Sequence, residues 1–344
     1  MKEQYAAELV SGVAVDSVFA VRSREVRLAR TGAPYLWMEL ADRTGSIEAV
    51  RFRIGPQDAA IPVGSVARVK GTVTSWRGTR SVRVSALRSA QSFDRCDLMP
   101  TTAQDTVALR RRLNDALASI GERPLRALVR AVFTEPGFAR RFAECPASVA
   151  GHHAWLGGLL EHTVAIVDSC DRLSRSYPAI DRDLLVAAAL LHDIGSVDAF
   201  EFDTSFEPSE RGRLVGHVAL GVARLERAAA GMAPSPDPRR LAEVVHAVSA
   251  HHEGSGAGRG PATLEATVLA TADALDARVA LFTAETARAA RDGASWSDGA
   301  SFGRPLLVPA ERATAGRRVV ARRPDIAVPG EVVTTTRGYL RAAG

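Results

Sequence analysis

Residues 10–90 carry their apolar positions in short runs. Val13–Leu28, Tyr35–Leu40, Ile47–Phe52, Val66–Thr74 and Ser81–Leu87 are rich in Val, Ile and aromatic residues, and turn signals separate them at Thr31-Gly32, Asp42-Arg43-Thr44-Gly45, Pro62-Val63-Gly64 and Arg77-Gly78. Five short strands in about 80 residues predict a small Greek-key barrel. From Thr106 to about Ala290 the period changes. Leu109, Leu113, Leu117 and Ile120 recur at helical spacing, and further helices are predicted over Gly157–Tyr177, Asp181–His192, Arg213–Ala230, Pro238–His252 and Pro261–Arg288. Pro178, Gly195, Gly212, Gly231 and Gly254 supply the stops. Beyond residue 290 the chain is rich in Arg, Gly and Pro, with short apolar runs at Leu306–Val308 and Val332-Val333 that suit small strands.

The chain therefore divides into a β region over 1–92, a linker over 93–105, a helical region over 106–290 and a tail over 291–344 that is partly ordered at most. The expected fold class is multidomain α and β: a small N-terminal β-barrel, for which the oligonucleotide-binding (OB) fold is the obvious candidate, followed by an all-α domain. Composition narrows the setting. The 344 residues are 46% hydrophobic and 24% charged, as in ordinary globular chains. No run of about 18 apolar residues is present, so no membrane span is expected. The N-terminal decapeptide lacks a basic-then-apolar secretory pattern. Cys96, Cys145 and Cys170 are far apart and in no ligand spacing, which favours a reducing cytoplasm over a disulfide framework. Net charge is +5, distributed as +5 over 1–100, −4 over 101–282 and +4 over 283–344. Basic flanks around an acidic centre suit an anionic polymer meeting a cation-holding site, although so mild a bias is also compatible with no such partner.

The chemistry concentrates in the helical region. All eight histidines lie there: His152, His153, His162, His192, His217, His246, His251 and His252. Imidazole is a common transition-metal ligand and binds at neutral pH without a large pKa shift. His162 sits in Gly-Gly-Leu-Leu-Glu-His-Thr, His192-Asp193 ends the apolar run Leu184–Leu191, and Asp273 lies in Ala-Thr-Ala-Asp-Ala-Leu-Asp. A carboxylate in such a setting is buried, and burial is costly unless it is paired or holds a metal. One histidine alone would be read as core packing; four such groups on apolar helices point to a metal site. His246 is read as helix packing or surface.

The order His162, His192-Asp193, Asp273 resembles the H…HD…D pattern of the HD superfamily of metal phosphohydrolases. That resemblance implies a first metal held by His162, His192, Asp193 and Asp273, and a second held by His217 and His251 with Asp193 bridging. His252 competes with His251 for that place, and His153 is a candidate pocket residue. Asp193 and His192 are the expected catalytic residues, joined by Arg213, which lies four residues before His217 on the same face of a predicted helix and is read either as a phosphate contact or as a surface ion-pair residue. Two cations about 3.5–4 Å apart can activate a water and stabilise a leaving oxygen. Mixed N/O ligation suits Mn²⁺, Fe²⁺ or Zn²⁺ more than Mg²⁺ alone; the resemblance implies Mn²⁺, two per chain.

A longer set of segments resembles the YhaM-type 3′→5′ exoribonuclease family. It comprises His152-His153-Ala-Trp-Leu-Gly-Gly-Leu-Leu-Glu-His162-Thr, Leu190-Leu191-His192-Asp193-Ile194-Gly195, Gly212–His217, His251-His252 and Ala272–Ala277. Gly32–Ile47 resembles the family's OB portion, and Trp296–Leu307 the end of its HD region. Ser196 follows Gly195 where many HD proteins have Lys. The resemblance implies a metal-dependent hydrolase shortening single-stranded RNA from its 3′ end, with DNA as an alternative polymer. Trp37, Arg51, Phe52, Arg53, Trp76, Arg77 and Arg80 are the candidate nucleic-acid contacts, of which strand alternation sends about half inward. Two other readings stand beside it: an HD enzyme acting on nucleotides or cyclic dinucleotides, and a non-catalytic nucleic-acid-binding module with a structural metal. A homo-oligomer is compatible with all three.

Overall fold

The computed structural model describes residues 2–55, 58, 60–76, 79–252 and 260–309, with Trp76 described in its backbone only. By internal contacts it forms two compact units: one built on the first 101 residues together with 201–207, the other starting at Thr102.

The first unit is a closed five-stranded barrel. Strands β1 (Ala14–Leu28), β2 (Pro34–Asp42), β3 (Gly45–Phe52), β4 (Val66–Trp76) and β5 (Thr79–Ser89) are ordered β1-β2-β3-β5-β4. All pairings are antiparallel except β3 with β5, where Glu48–Val50 runs parallel to Ser81–Arg83. Period-two alternation explains the core. Leu36, Met38 and Leu40 point inward to meet Phe19, Val21, Ile47, Ala49, Val69 and Val82, while Tyr35, Trp37 and Glu39 face out. The β2–β3 turn is tied by Asp42, which accepts from Thr44 N and from Ala6 N and pairs with the buried Lys2 at 2.6 Å.

The second unit is helical. Its main helices are α1 (Thr106–Ala118), α2 (Arg123–Phe133), α3 (Phe138–Glu144), α4 (Gly158–Ser176), α5 (Arg182–Leu191), α6 (Glu210–Val215), α7 (His217–Ala230), α8 (Pro238–Ala250) and α9 (Leu264–Arg291). Every residue from Leu184 to Leu191 is buried. A helix apolar on all sides must be surrounded by others, so α5 is the centre of the unit and delivers His192-Asp193 into its interior. Asp181 starts this helix by accepting from Leu184 N at 3.0 Å.

Two departures from the sequence reading affect the site. The single helix expected over Arg213–Ala230 is two, α6 and α7, joined at Gly216 with φ 79° and ψ 157°. A non-glycine residue disfavours that conformation, so the break is written in the sequence as Gly216. Helices α2 and α3 also appear between the expected ones. Beyond α9, Trp296–Ser297 pairs with Leu306–Leu307 as two short strands, whereas Val332-Val333 lies outside the described residues. Among the described residues no helix is long and apolar enough to cross a membrane.

Candidate metal centre

Five elements bring the ligand candidates together. His162 lies in the second turn of α4, His192-Asp193 follows α5, His217 opens α7, and His251-His252 follows α8. Asp273 comes from the interior of α9. His162, His192, Asp193, His251 and Asp273 are all buried.

These side chains form two groups sharing Asp193, one with His162 and His192 and one with His217, His251 and His252, and Asp273 joins the first through His162. In the first, His162 Nε2 lies 3.1 Å from His192 Nε2 and 3.2 Å from Asp273 Oδ1. Asp193 Oδ2 lies 3.6 Å from His192 Nε2 and 3.9 Å from His162 Nε2. In the second, Asp193 Oδ1 lies 3.3 Å from His217 Nε2 and 3.4 Å from His251 Nε2, and His217 Nε2 is 3.0 Å from His252 Nε2. His252 Nδ1 also approaches Asp273 Oδ2 at 3.3 Å. His251 and His252 both reach the second group.

The hydrogen bonds on the far side of each ring decide which nitrogen is available. His192 Nδ1 donates to Ala189 O at 2.8 Å and His251 Nδ1 to Val248 O at 2.6 Å. Each histidine caps its helix and turns one N–H back on a carbonyl near the C-terminal end. Nε2 is left facing the centre in both.

These residues fit a divalent cation. With its Nδ1–H committed to Val248, His251 turns Nε2 toward Asp193 Oδ1 at 3.4 Å. Both atoms are buried and neither has a hydrogen-bond partner. Buried polar atoms left without a hydrogen bond are unfavourable, and a cation between these two would satisfy both. Distances agree: atoms about 2.1 Å from one cation lie about 3.0 Å apart at a right angle and about 3.4 Å at a tetrahedral one, and six of the separations above lie between 3.0 and 3.4 Å.

Electrostatics follows from the crowding. Burial alone would raise the Asp193 carboxyl, but His192, His251 and His217 outweigh it and hold the group well below the usual carboxylate range. Asp273 is likewise held low against burial by hydrogen bonds to His162 and His252. Burial brings His192 down to about 4, so this ring stays neutral and ligand-competent at neutral pH. His162 behaves oppositely: burial would lower it, but Asp273 and Asp276 raise it to about 10.

The turn after His192-Asp193 is shaped by Gly195. A Cβ there would lie 1.9 Å from His217 O and 2.4 Å from Gly221 N. The absent side chain lets α7 approach closely enough to aim His217 at Asp193. Ser196, the residue that replaces the common Lys, is fully buried and so is not exposed to a substrate.

Other candidates fall differently. His153 is buried beside the first group, with Nε2 donating to Asp276 Oδ2 at 2.8 Å. His246 Nε2 accepts from Ala262 N at 2.8 Å, a packing role. Arg213 is exposed on α6 and its Nε donates to Pro208 O at 3.2 Å. The shared helical face with His217 that suggested its role does not exist, because Gly216 separates the two helices. Two residues without an assigned role also reach the centre. His152 approaches His162 and Asp273 within ligand-forming distance, and Asp276 contacts His162.

On the barrel, β2 and β3 expose Tyr35 directly across from Phe52, with ring centroids 5.7 Å apart. Phe52 is 48% exposed, and the Arg83 guanidinium lies 5.6 Å from its ring. Trp37 faces the same side with Arg27 stacked at 4.0 Å. Further along, Trp37 borders a cleft of about 400 Å³ that also contains Glu39, Glu48, Thr79 and Arg80. Arg51 is engaged by Asp58 at 2.6 Å and by Ser85 O, and Arg80 by the carbonyls of Ala7 and Leu9. Arg53 is exposed with φ 59°. The Trp76 side chain and all of Arg77 lie outside the described residues.

The fold is an N-terminal OB-like closed barrel followed by a helical HD domain region. Residues 159–278 match the HD domain family, and residues 18–90 match the OB-fold nucleic acid binding domain family. Over most of its length the chain is also similar to proteins named 3′-5′ exoribonuclease YhaM, as the motifs implied. The Geobacillus sp. (strain WCH70) protein is 27% identical over 274 residues, 78% of this chain and 83% of its own. That of Shouchella clausii (strain KSM-K16) is 28% identical over 276 residues, 78% and 85% of the two chains. The Halalkalibacterium halodurans protein is 26% identical over 276 residues, 78% and 84%.

Proposed function

We propose that this chain is a metal-dependent 3′→5′ exonuclease hydrolysing the phosphodiester bonds of single-stranded RNA, with DNA as an alternative polymer. The region over 106–290 performs the hydrolysis and the barrel over 1–92 holds the strand. One observation carries the metal chemistry: Asp193 Oδ1 and His251 Nε2, both buried and without a hydrogen-bond partner, face each other at 3.4 Å. The similarity to YhaM exoribonucleases across 78% of the chain supports the reaction, and the OB fold supports a polymeric substrate.

Two cations are assigned, one to His162, His192, Asp193 and Asp273 and one to Asp193, His217, His251 and His252; Mn²⁺ is the preferred ion. When bound, they supply Lewis-acid activation of water and stabilisation of the leaving oxygen. The chain's own residues do the rest. Asp193 directs one oxygen to each group and so fixes their separation. Rings locked at Nδ1 present Nε2 without reorganising. Arg213, exposed on α6, is the proposed phosphate contact. Tyr35 and Phe52 offer stacking faces for unpaired bases, and Arg27 and Arg83 lie among them to meet phosphates. Glu39 and Glu48, paired across β2 and β3, repel phosphate from the other end of that face.

The test is a panel of 3′-hydroxyl RNA, single-stranded DNA, nucleotides and cyclic dinucleotides incubated with Mn²⁺ and either wild type or Asp193→Ala. Shortening of the polymers by wild type alone is expected. Turnover of small phosphoesters with intact polymers would replace this reading by the nucleotide or cyclic-dinucleotide one, which the barrel disfavours.

A further inference from the structure

We propose that Asp276 is a positioning residue for the first ligand group: one carboxylate oxygen that holds His162 as an Nε2 ligand and is itself anchored by His153. The inference rests on the metal reading above and concerns residues outside both ligand sets.

Asp276 Oδ2 accepts from His162 Nδ1 at 2.8 Å and from His153 Nε2 at 2.8 Å. His162 is fully buried between two carboxylates of one helix. Asp273 meets its Nε2 at 3.2 Å, and Asp276, three residues on and therefore on the same face of α9, meets its Nδ1. A carboxylate on the far nitrogen fixes ring angle and tautomer and makes the ligand more basic.

His162 requires this help for a structural reason. His192 and His251 lie at helix ends, where backbone carbonyls are free to take an Nδ1–H. His162 sits inside α4, where the carbonyls of the preceding turn already serve the helix. Only a side chain can fill the same role.

The sequence around His153 is shaped to complete the clamp. His153 has φ 50°, unusual for a residue with a Cβ. Its carbonyl is tied by Ala147 N at 3.2 Å and Trp155 N at 2.9 Å. Gly158 makes room for that carbonyl, since a Cβ at 158 would lie 2.0 Å from it. Gly158 and the tied His153 carbonyl thus hold the turn from which His153 Nε2 reaches Asp276 Oδ2. Strain of this kind persists where the surroundings over-determine it, and here they direct a single imidazole onto Asp276.

The experiment is Mn²⁺ titration of the metal-free full chain, with free Mn²⁺ read by electron paramagnetic resonance. His162→Ala identifies the binding event that belongs to the first group. In Asp276→Ala that event is expected to weaken about 10- to 100-fold. Asp276→Asn, which keeps an acceptor oxygen without the charge, and His153→Gln, which leaves Asp276 on His162, should each lose less. Both conservative variants should keep the metal-free melting temperature, and they carry the test if the alanine variant fails to fold. Wild-type affinity in both Asp276 variants would overturn the clamp and leave the metal reading standing. A wild type that binds no Mn²⁺ would overturn both. An affinity loss that merely follows a fall in metal-free stability, or loss of an additional cation from the His153-His162-Asp276 trio with the first event untouched, would also overturn it.

Discussion

Replacing Gly195 with alanine separates close packing from backbone freedom. Gly195 has φ −72° and ψ −17°, a conformation alanine adopts easily. On backbone grounds alone the change would stabilise the fold by about 0.4–1 kcal/mol. Packing predicts the opposite. The new Cβ would lie 1.9 Å from His217 O, 2.4 Å from Gly221 N and 2.9 Å from Gly221 Cα. Ordinary contact begins near 3.4 Å, and all three obstacles are backbone, which cannot rotate aside. The start of α7 must retreat by roughly 1.5 Å, at a cost of about 1–3 kcal/mol or more in overpacking. His217 Nε2 now stands 3.3 Å from Asp193 Oδ1, so a shift of that size removes it from the second group. We expect Gly195→Ala to bind one Mn²⁺ instead of two in equilibrium dialysis, and to lose about 100-fold in activity. Gly221→Ala is the control, since its Cβ would meet Gly195 N at a tight but adjustable 3.3 Å. Two Mn²⁺ at wild-type affinity in Gly195→Ala would show that this close approach does not set the site.

Asp193→Ala should abolish both binding events, whereas His217→Ala should remove one, because Asp193 belongs to both assigned ligand sets and His217 to one; the same dialysis distinguishes them. Metal binding should release about one proton per chain at neutral pH from the first group, since His162, raised to about 10, is protonated there in the metal-free protein. Affinity then climbs about tenfold per pH unit up to that value. By the same sign, the raised pKa stabilises the metal-free fold fully below about 6.5 and ceases to do so as pH rises through about 10. Calorimetry in buffers of different protonation enthalpy measures the release, and none at pH 7 would contradict the assignment. On the barrel, Phe52→Ala should weaken single-stranded RNA binding by about 1–3 kcal/mol with its salt dependence unchanged, while Arg83→Ala should make the slope of log K against log salt shallower by about 0.7; fluorescence anisotropy across a salt series reads both.

Much of this was legible in the sequence because the physics was local. Short runs rich in Val, Ile and aromatic residues between turn signals locate all five barrel strands within about two residues, since such side chains fit a pleated, half-buried surface. The apolar run Leu184–Leu191 predicted that His192-Asp193 is delivered into an interior. The failures have equally local causes. The reading of one helix over 213–230 followed apolar spacing and overlooked Gly216. Helix α2 passed unlisted although Pro124 at its start and Leu125, Leu128, Val129 and Val132 at helical spacing mark it. Asp276 was within reach, because a second acid three residues after Asp273 shares its helical face. The placement of His152 and His153 was not, since it depends on a turn with positive φ that no periodicity reveals. For Arg51 and Arg80, cationic character was visible, but the partners that engage them were not.

The reaction itself is decided by the time course of a 3′-hydroxyl RNA carrying a label at its 3′ end in one reaction and at its 5′ end in another, with Mn²⁺ present. Immediate release of the 3′ label as mononucleotide is expected, together with a descending ladder of 5′-labelled products, both absent with Asp193→Ala. Release of the 5′ label first, internal cleavage without a ladder, or equal shortening by the Asp193→Ala protein would contradict a 3′→5′ exonuclease centred on His192-Asp193.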